Sequence, residues 1–295
     1  MTRQLARIKF PGAALLILFF LFHVAAVMDG VRRALTICAV SIVPSLFLFM
    51  VLSDFAVSLI FSGTPSKISL KYLVFFLGTA CGFPVGALTC ERLCSIGVLD
   101  KKSAEQLIYV SNSTGPAFVL GALGTSMLGN IRLGILILTA QIIANLIFLF
   151  PMKIMQQPMV SQAAEENLMT LFLLSVERAV SGILRVCALI CTFSALLSVL
   201  KSYLGDSPVY PIVSALFEIG NGTSAGASMF KFHPMFSLSL CAFSCGWSGI
   251  CVHFQIFSAL KSIKINKIKF VLFKLLQGVL CAALCCIGYK IFFTA

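Results

Sequence analysis

The chain has 295 residues, of which 59% are hydrophobic and 11% charged, whereas a soluble domain carries about a quarter Asp, Glu, Lys and Arg. Its apolar residues fall in long blocks, no polar surface is left to cover a core, and lipid is the solvent for most of the chain. A soluble enzyme, a disulfide-stapled secreted domain and a disordered chain are thereby excluded. The formal net charge of +12 sits largely in short connectors, as at Lys261, Lys264, Lys267 and Lys269. That placement points to anionic lipid headgroups as partners, and no aromatic-interleaved basic module for nucleic acid accompanies it.

An apolar run of about 20 residues crosses a bilayer as a helix. In chain order the blocks are 10–28, 34–61, 70–90, 106–128, 131–151, 168–200, 212–229, 236–260 and 270–293. The fold predicted is an all-α polytopic membrane protein with about eight to ten transmembrane helices. Residues 1–29 form an N-terminal anchor helix, retained or cleaved after Val24 and Ala26. Residues 30–152 form a first repeat, 168–295 a second, and 153–167 a polar connector between them. With every block a simple span, the inner connectors hold Arg3, Arg7, Lys9, Lys67, Lys71, Arg132, Lys201 and the 261–269 cluster. The outer ones hold Arg32, Arg33, Arg92, Lys101, Lys102, Lys153 and Lys231, so the bias towards an inside N-terminus is modest.

The two-repeat reading rests on matched interruptions. Residues 31–52 resemble 176–197 in length, in an aligned Arg and in a long apolar run. Each is followed by two breaks: Gly82-Phe83-Pro84-Val85-Gly86 and Ser111-Asn112-Ser113-Thr114-Gly115-Pro116 in the first half. In the second half they are Gly220-Asn221-Gly222-Thr223-Ser224-Ala225-Gly226 and Ser244-Cys245-Gly246-Trp247-Ser248-Gly249. A broken membrane helix frees backbone groups that only protein or a water-filled cavity can satisfy, and paired breaks mark a transporter's binding site. Helix N-termini at such breaks suit an anion, with Ser111, Asn112, Ser113 and Thr114 as caps or ligands ahead of Pro116. Gly78, Gly121 and Gly124 are read as packing positions.

Ionisable groups inside the apolar blocks are costly, and each needs a partner or a role. Arg178 snorkels to the interface, whereas the deeper Arg185 faces a cavity or a carboxylate. Glu218 couples a proton or cation, or pairs with an Arg. His253 is an interior hydrogen-bonded group or a proton relay, and Gln255 lies beside it. Asp54 caps or hydrogen-bonds a neighbouring break, and His23 is structural. The twelve cysteines, with i, i+4 pairs 90/94, 187/191 and 241/245, read as small apolar packing residues; no metal site or cofactor is expected. Without a phosphate-binding loop, HExxH or GxSxG, the chain is read as no enzyme.

The motifs GFPVGA (82–87) and SNSTGPAF (111–118), with FEIGNGTSAG (217–226) and FSCGWSGICVHFQ (243–255), resemble the bacterial sporulation integral membrane proteins with a nucleoside-recognition, or gate, domain. The resemblance covers residues 30–290. It implies gate-type repeats with broken or re-entrant helices, arranged as inverted instead of parallel repeats. It also implies transport of dipicolinic acid across the outer forespore membrane. Carried over onto matching positions, Gly82, Phe83, Pro84, Gly86, Asn112, Ser113, Gly115 and Pro116 line the translocation site. The reading of the breaks and of the polar groups inside the spans adds Thr114, Arg185, Glu218, Asn221, Gly222, Ser244, Gly246, Ser248, Gly249, His253 and Gln255 to the expected site. A nucleoside or ion transporter, or a non-transporting scaffold in spore assembly, remains the alternative.

Overall fold

The computed structural model describes residues 2–61, 68–155 and 167–293, with side chains from Pro11 onward. Among these residues the regular structure is helical. Helix α1 (Thr2–Phe22) ends at His23, and α2 (Val24–Ile37) continues through a π-helical turn, Cys38–Ile42, into α3 (Val43–Ile60). The π turn has a local cause. Pro44 lies in the first turn of α3, where its ring clashes with a preceding carbonyl and its missing N–H breaks the α ladder; one wider turn absorbs both. The boundary expected at 29/30 falls inside α2. The charges of Asp29, Arg32 and Arg33 read as a connector, but Asp29 and Arg33 pair along the helix. Arg33 also donates to Ser198 Oγ at 3.0 Å. Gly30 lets α2 lie so close to α8 that a Cβ there would stand 2.6 Å from Ser194 O.

Two of the nine expected spans turn back on themselves. Helices α4 (Leu70–Cys81) and α5 (Val85–Ser95) flank Gly82, whose φ is 83°, a value at which a Cβ is disfavoured. They are antiparallel: a Cβ at Gly78 would lie 3.1 Å from Gly86 Cα, across the turn. Helices α9 (Val209–Phe217) and α10 (Ile219–Ser228) fold likewise around the extended Glu218, with Gly222 closed against Ala215. A helix of 12 residues rises about 18 Å, roughly half the bilayer's hydrocarbon core. These segments are long enough to enter and return, and too short for either arm to cross.

The other two breaks interrupt helices that carry on. Helix α6 (Lys101–Ser111) is followed by extended residues and the π-helical segment Ala117–Met127; α11 (Pro234–Trp247) is followed by α12 (Gly249–Ala259). At the second of these, Ser248 and Gly249 both have left-handed backbone, φ 72° and 77°. Unbroken helices α7 (Ile131–Leu149), α8 (Leu168–Leu204) and α13 (Lys267–Phe293) complete the bundle. Five segments in the described residues are long and apolar enough to span a membrane: Val24–Ile60, Ile131–Leu149, Leu168–Leu204, Pro234–Ala259 and Lys267–Phe293. Large side chains such as Val40, Leu184 and Ile291 remain exposed on the outer helices, the surface that lipid covers. The hairpins and broken helices fill the interior.

Hydrogen bonds between connectors fix which ends share a face. Lys71, at the start of α4, donates to Phe150 O and Met152 O after α7. Met155 N donates to Ser103 Oγ in α6. Ser262 N and Asn266 N, after α12, donate to Glu91 in α5 and Glu105 in α6. On the opposite face Tyr203, near the end of α8, meets His23 Nε2 at 2.6 Å. The α4–α5 hairpin therefore enters from the first face and α9–α10 from the second. This regroups the connector charges. Arg92, Lys101, Lys102 and Lys153 join Lys71 and the 261–269 cluster on the first face, while Arg132 and Lys201 move to the second beside Lys231. The named connector charges are thus more one-sided than expected, because each hairpin returns the chain to the face it entered from. Of the expected connector 153–167, residues 156–166 lie outside the described residues, as does Lys67.

Candidate functional site

The tips of both hairpins and both breaks meet. A Cβ at Gly82 would stand 3.1 Å from Gly115 N, and one at Gly249 would stand 3.1 Å from Phe217 O and 3.2 Å from Glu218 Cα. Thr114 Oγ1 donates to Cys245 O at 3.1 Å, tying the first half's break to the second's. At this junction lies a cavity of about 40 Å³ lined by Gly82, Phe83, Thr114, Gly115, Glu218 and Gln255, among others. It holds about one water and no organic solute, so the junction is closed. Gln255 Oε1 is buried there without a hydrogen-bond partner among the described residues.

Each half secures its hairpin tip with a side chain. Asn112 accepts from Ala87 N, in the first turn of α5, at 3.0 Å, and donates to Ile108 O at 2.8 Å. Glu218 caps α10, accepting from Gly220 N at 2.9 Å and from Asn221 N at 2.7 Å. Its carboxylate also accepts from Asn221 Nδ2 at 2.6 Å, and that amide reaches Ser194 Oγ at 2.9 Å. The N-termini of α5 and α10 are thus occupied by the protein's own acceptors.

A larger space lies towards the first face. A cavity of about 530 Å³ between α3, α5 and α8 is lined by Asp54, Glu91, Arg92, Glu177, Arg178, Arg185 and Lys261. Asp54 does not cap a break: it accepts from Arg178 at 2.8 Å and from Ser175 Oγ at 2.8 Å, binding α3 to α8. Arg178 accordingly pairs instead of snorkelling. Arg185 stands midway along α8 and lines both this vestibule and the narrow cleft of Pro84, Gln255 and Ser258 behind it. It has no hydrogen bond or ion pair among the described residues.

Several expected site residues serve packing. The break expected at 220–226 lies one turn earlier, at Glu218, because its carboxylate caps a helix into which Gly220, Asn221 and Gly222 then fold. Gly86 is pressed on Ser111, and Gly246 on Gly278 Cα of α13, where a Cβ would stand 2.8 Å away. Ser244 donates to Leu240 O within its helix, and Ser248 forms the left-handed hinge. Gly78 and Gly124 are tight against backbone as expected, but a Cβ at Gly121 would meet nothing within 4 Å. His253 Nε2 meets Trp247 O at 3.0 Å, and its ring lies against Trp247 and Phe270; it is an interior group, not a cavity lining. Pro116 precedes the π segment, and Ser113 accepts from Asn145 Nδ2. Gln141, Asn145, Lys274 and Gln277, none of them among the expected site residues, join the hydrogen bonds around residues 112–114. Polar residues spaced i, i+4 and i, i+3 inside otherwise apolar spans were the available signal. All twelve cysteines are free thiols.

Hairpins and broken helices meeting inside a shell of long apolar helices define an all-α polytopic membrane protein. Over 94% of its length the chain is 25% identical to the sporulation integral membrane protein YlbJ of Bacillus subtilis (strain 168), 83% of which is covered. The chain is thus a homologue of a sporulation integral membrane protein, as its motifs indicate. No protein-family model matches it, and no solved structure matches it.

Proposed function

We propose that the protein is a carrier, not an enzyme, that moves a small organic anion, dipicolinate, across the outer forespore membrane during sporulation. The observation that supports this reading is the vestibule of about 530 Å³, which leads past the unpaired Arg185 to a closed junction of four broken segments. A vestibule open at one face and closed at the centre is one state of an alternating-access cycle. Its volume is within the usual range of about 300–1,000 Å³ for small-molecule sites. The two halves repeat the order long helix, hairpin, broken helix, long helix, with hairpins from opposite faces, which supports an inverted repeat of 30–152 and 168–295. The basic first face reads as cytoplasmic and as the side in contact with anionic lipid, so the vestibule collects cargo made in the mother cell. The relative named for sporulation supplies the setting.

Cargo reaches the junction only if a hairpin moves. The Gly-lined contacts between tips and breaks provide the sliding surface, and Gln255 Oε1 supplies a polar contact once the cavity widens. Purified protein in liposomes should exchange radiolabelled dipicolinate, and Arg185→Gln should raise the half-saturating concentration about tenfold by removing uniform binding. Absence of exchange together with normal dipicolinate content in spores lacking the protein would sink the reading and favour a scaffold. One observation favours a second cargo class: among the described residues lining the central cavity Glu218 is the one carboxylate, with no Lys, Arg or His beside it. Inhibition by a nucleoside but not by other dicarboxylates would identify that class.

A further inference from the structure

Lys274 lies two turns into α13 and is 1% exposed, yet neither the Asp29–Arg33 nor the Asp54–Arg178 ion pair involves it. Its Nζ donates to Asn112 O at 2.8 Å and to Gln277 Oε1 at 2.9 Å. Both partners are acceptors, matching the role of the lysine amine as donor. Gln277 Nε2 donates to Asn145 Oδ1 at 2.7 Å, and Asn145 Nδ2 to Ser113 Oγ at 2.6 Å. Gln141 Nε2 donates to Thr114 O at 2.9 Å. The groups freed by the break after α6 are thus served by the Lys274 amine of α13 and two amides of α7.

An unwound stretch of a membrane helix turns its carbonyls inward, and in carriers with discontinuous helices such carbonyls hold a coupling Na⁺ or H⁺. Here Lys274 places a covalently attached cation on one of them. A buried charge is expensive to desolvate and is kept where it fixes a particular arrangement. A helix break needing only a hydrogen-bond donor is served by a neutral amide, as Gln141 serves Thr114. Resting on the transport reading above, we propose that Lys274, when protonated, is a resident cation at the break after α6: it takes the place of a coupling metal cation, so translocation runs without Na⁺.

The test is dipicolinate exchange by the full-length protein in liposomes, with Na⁺ replaced by N-methylglucamine on both sides. Wild-type exchange should be unchanged within about twofold. Lys274→Met, close in length and uncharged, should lose exchange by at least about tenfold in the Na⁺-free medium, and added Na⁺ should restore part of it. Restoration by Na⁺ is the readout that a purely structural lysine would not produce. Wild-type dependence on Na⁺ overturns the inference, as do full exchange by Lys274→Met without Na⁺ and a loss that Na⁺ does not relieve. Should Lys274→Met not fold, Lys274→Gln is judged by the same criteria, and the wild-type measurement stands independently. Failure of the wild type to exchange in either medium overturns the transport reading instead.

Discussion

Asn112→Ala separates the first hairpin tip from its break. The side chain satisfies two buried main-chain groups at once, the Ala87 N–H at 3.0 Å and the Ile108 carbonyl at 2.8 Å, and it is fully buried itself. Alanine supplies neither partner, and the space left behind lies among tightly packed backbone. Each orphaned buried group costs about 1–3 kcal/mol, so the variant should lose about 2–6 kcal/mol. At roughly 2–4 °C per kcal/mol the melting temperature should fall by at least about 4 °C. The assay is thermal unfolding in detergent followed with a thiol-reactive fluorophore, since buried Cys81 and Cys90 flank the hairpin tip. The same variant should raise the rate at which Cys81 is labelled below the transition. The control is Gly121→Ala, where a Cβ meets open space; it should stay within about 0.5 kcal/mol of wild type. A melting temperature and Cys81 labelling rate equal to wild type in Asn112→Ala would refute the clamp.

Other outcomes follow from the same geometry. Gly78→Val should abolish folding or expression, because even a Cβ there runs into the main chain of Ser111. In a background without native cysteines, single cysteines at Lys71, Lys153 and Lys264 should react with a membrane-impermeant reagent from one side, and those at Ser207 and Lys231 from the other. A shared side for Lys71 and Ser207 would mean that the α4–α5 segment crosses the membrane. Asp100 caps α6 through Lys102 N and Ser103 N. Burial raises its carboxyl, but the hydrogen bonds from Ser103 and the neighbouring main chain outweigh this and hold it below the ordinary value. Its stabilisation is therefore present above the unfolded carboxylate value of about 4 and lost as pH falls through the lower folded value. Asp100→Asn should flatten that acid limb in a melting series.

How far the residues revealed the structure varied with the range of the forces involved. The breaks at Gly82 and 112–116 were legible because Gly and Pro act on the backbone locally, whatever surrounds them. The break at Glu218 was not. The glycines after it drew attention, whereas the carboxylate before them stops one helix and caps the next. Asp29 to Arg33 read as a connector since a charge pair and a glycine contact with α8 were needed to keep it helical. Lys274 escaped notice for a similar reason: its partner Asn112 O is 162 residues away, and no local pattern reports that pairing.

The residues by themselves determined that this protein lives in lipid and is built of helices, because an apolar backbone segment can satisfy its hydrogen bonds there only within itself. They also located most of the interruptions. Tertiary structure alone decided whether segments 70–90 and 212–229 cross or return, since hydropathy measures how apolar a helix is and carries no record of its direction. That decision regrouped the connector charges onto one face, brought four distant breaks to one junction, and set a lysine of the last helix against the first of the broken ones.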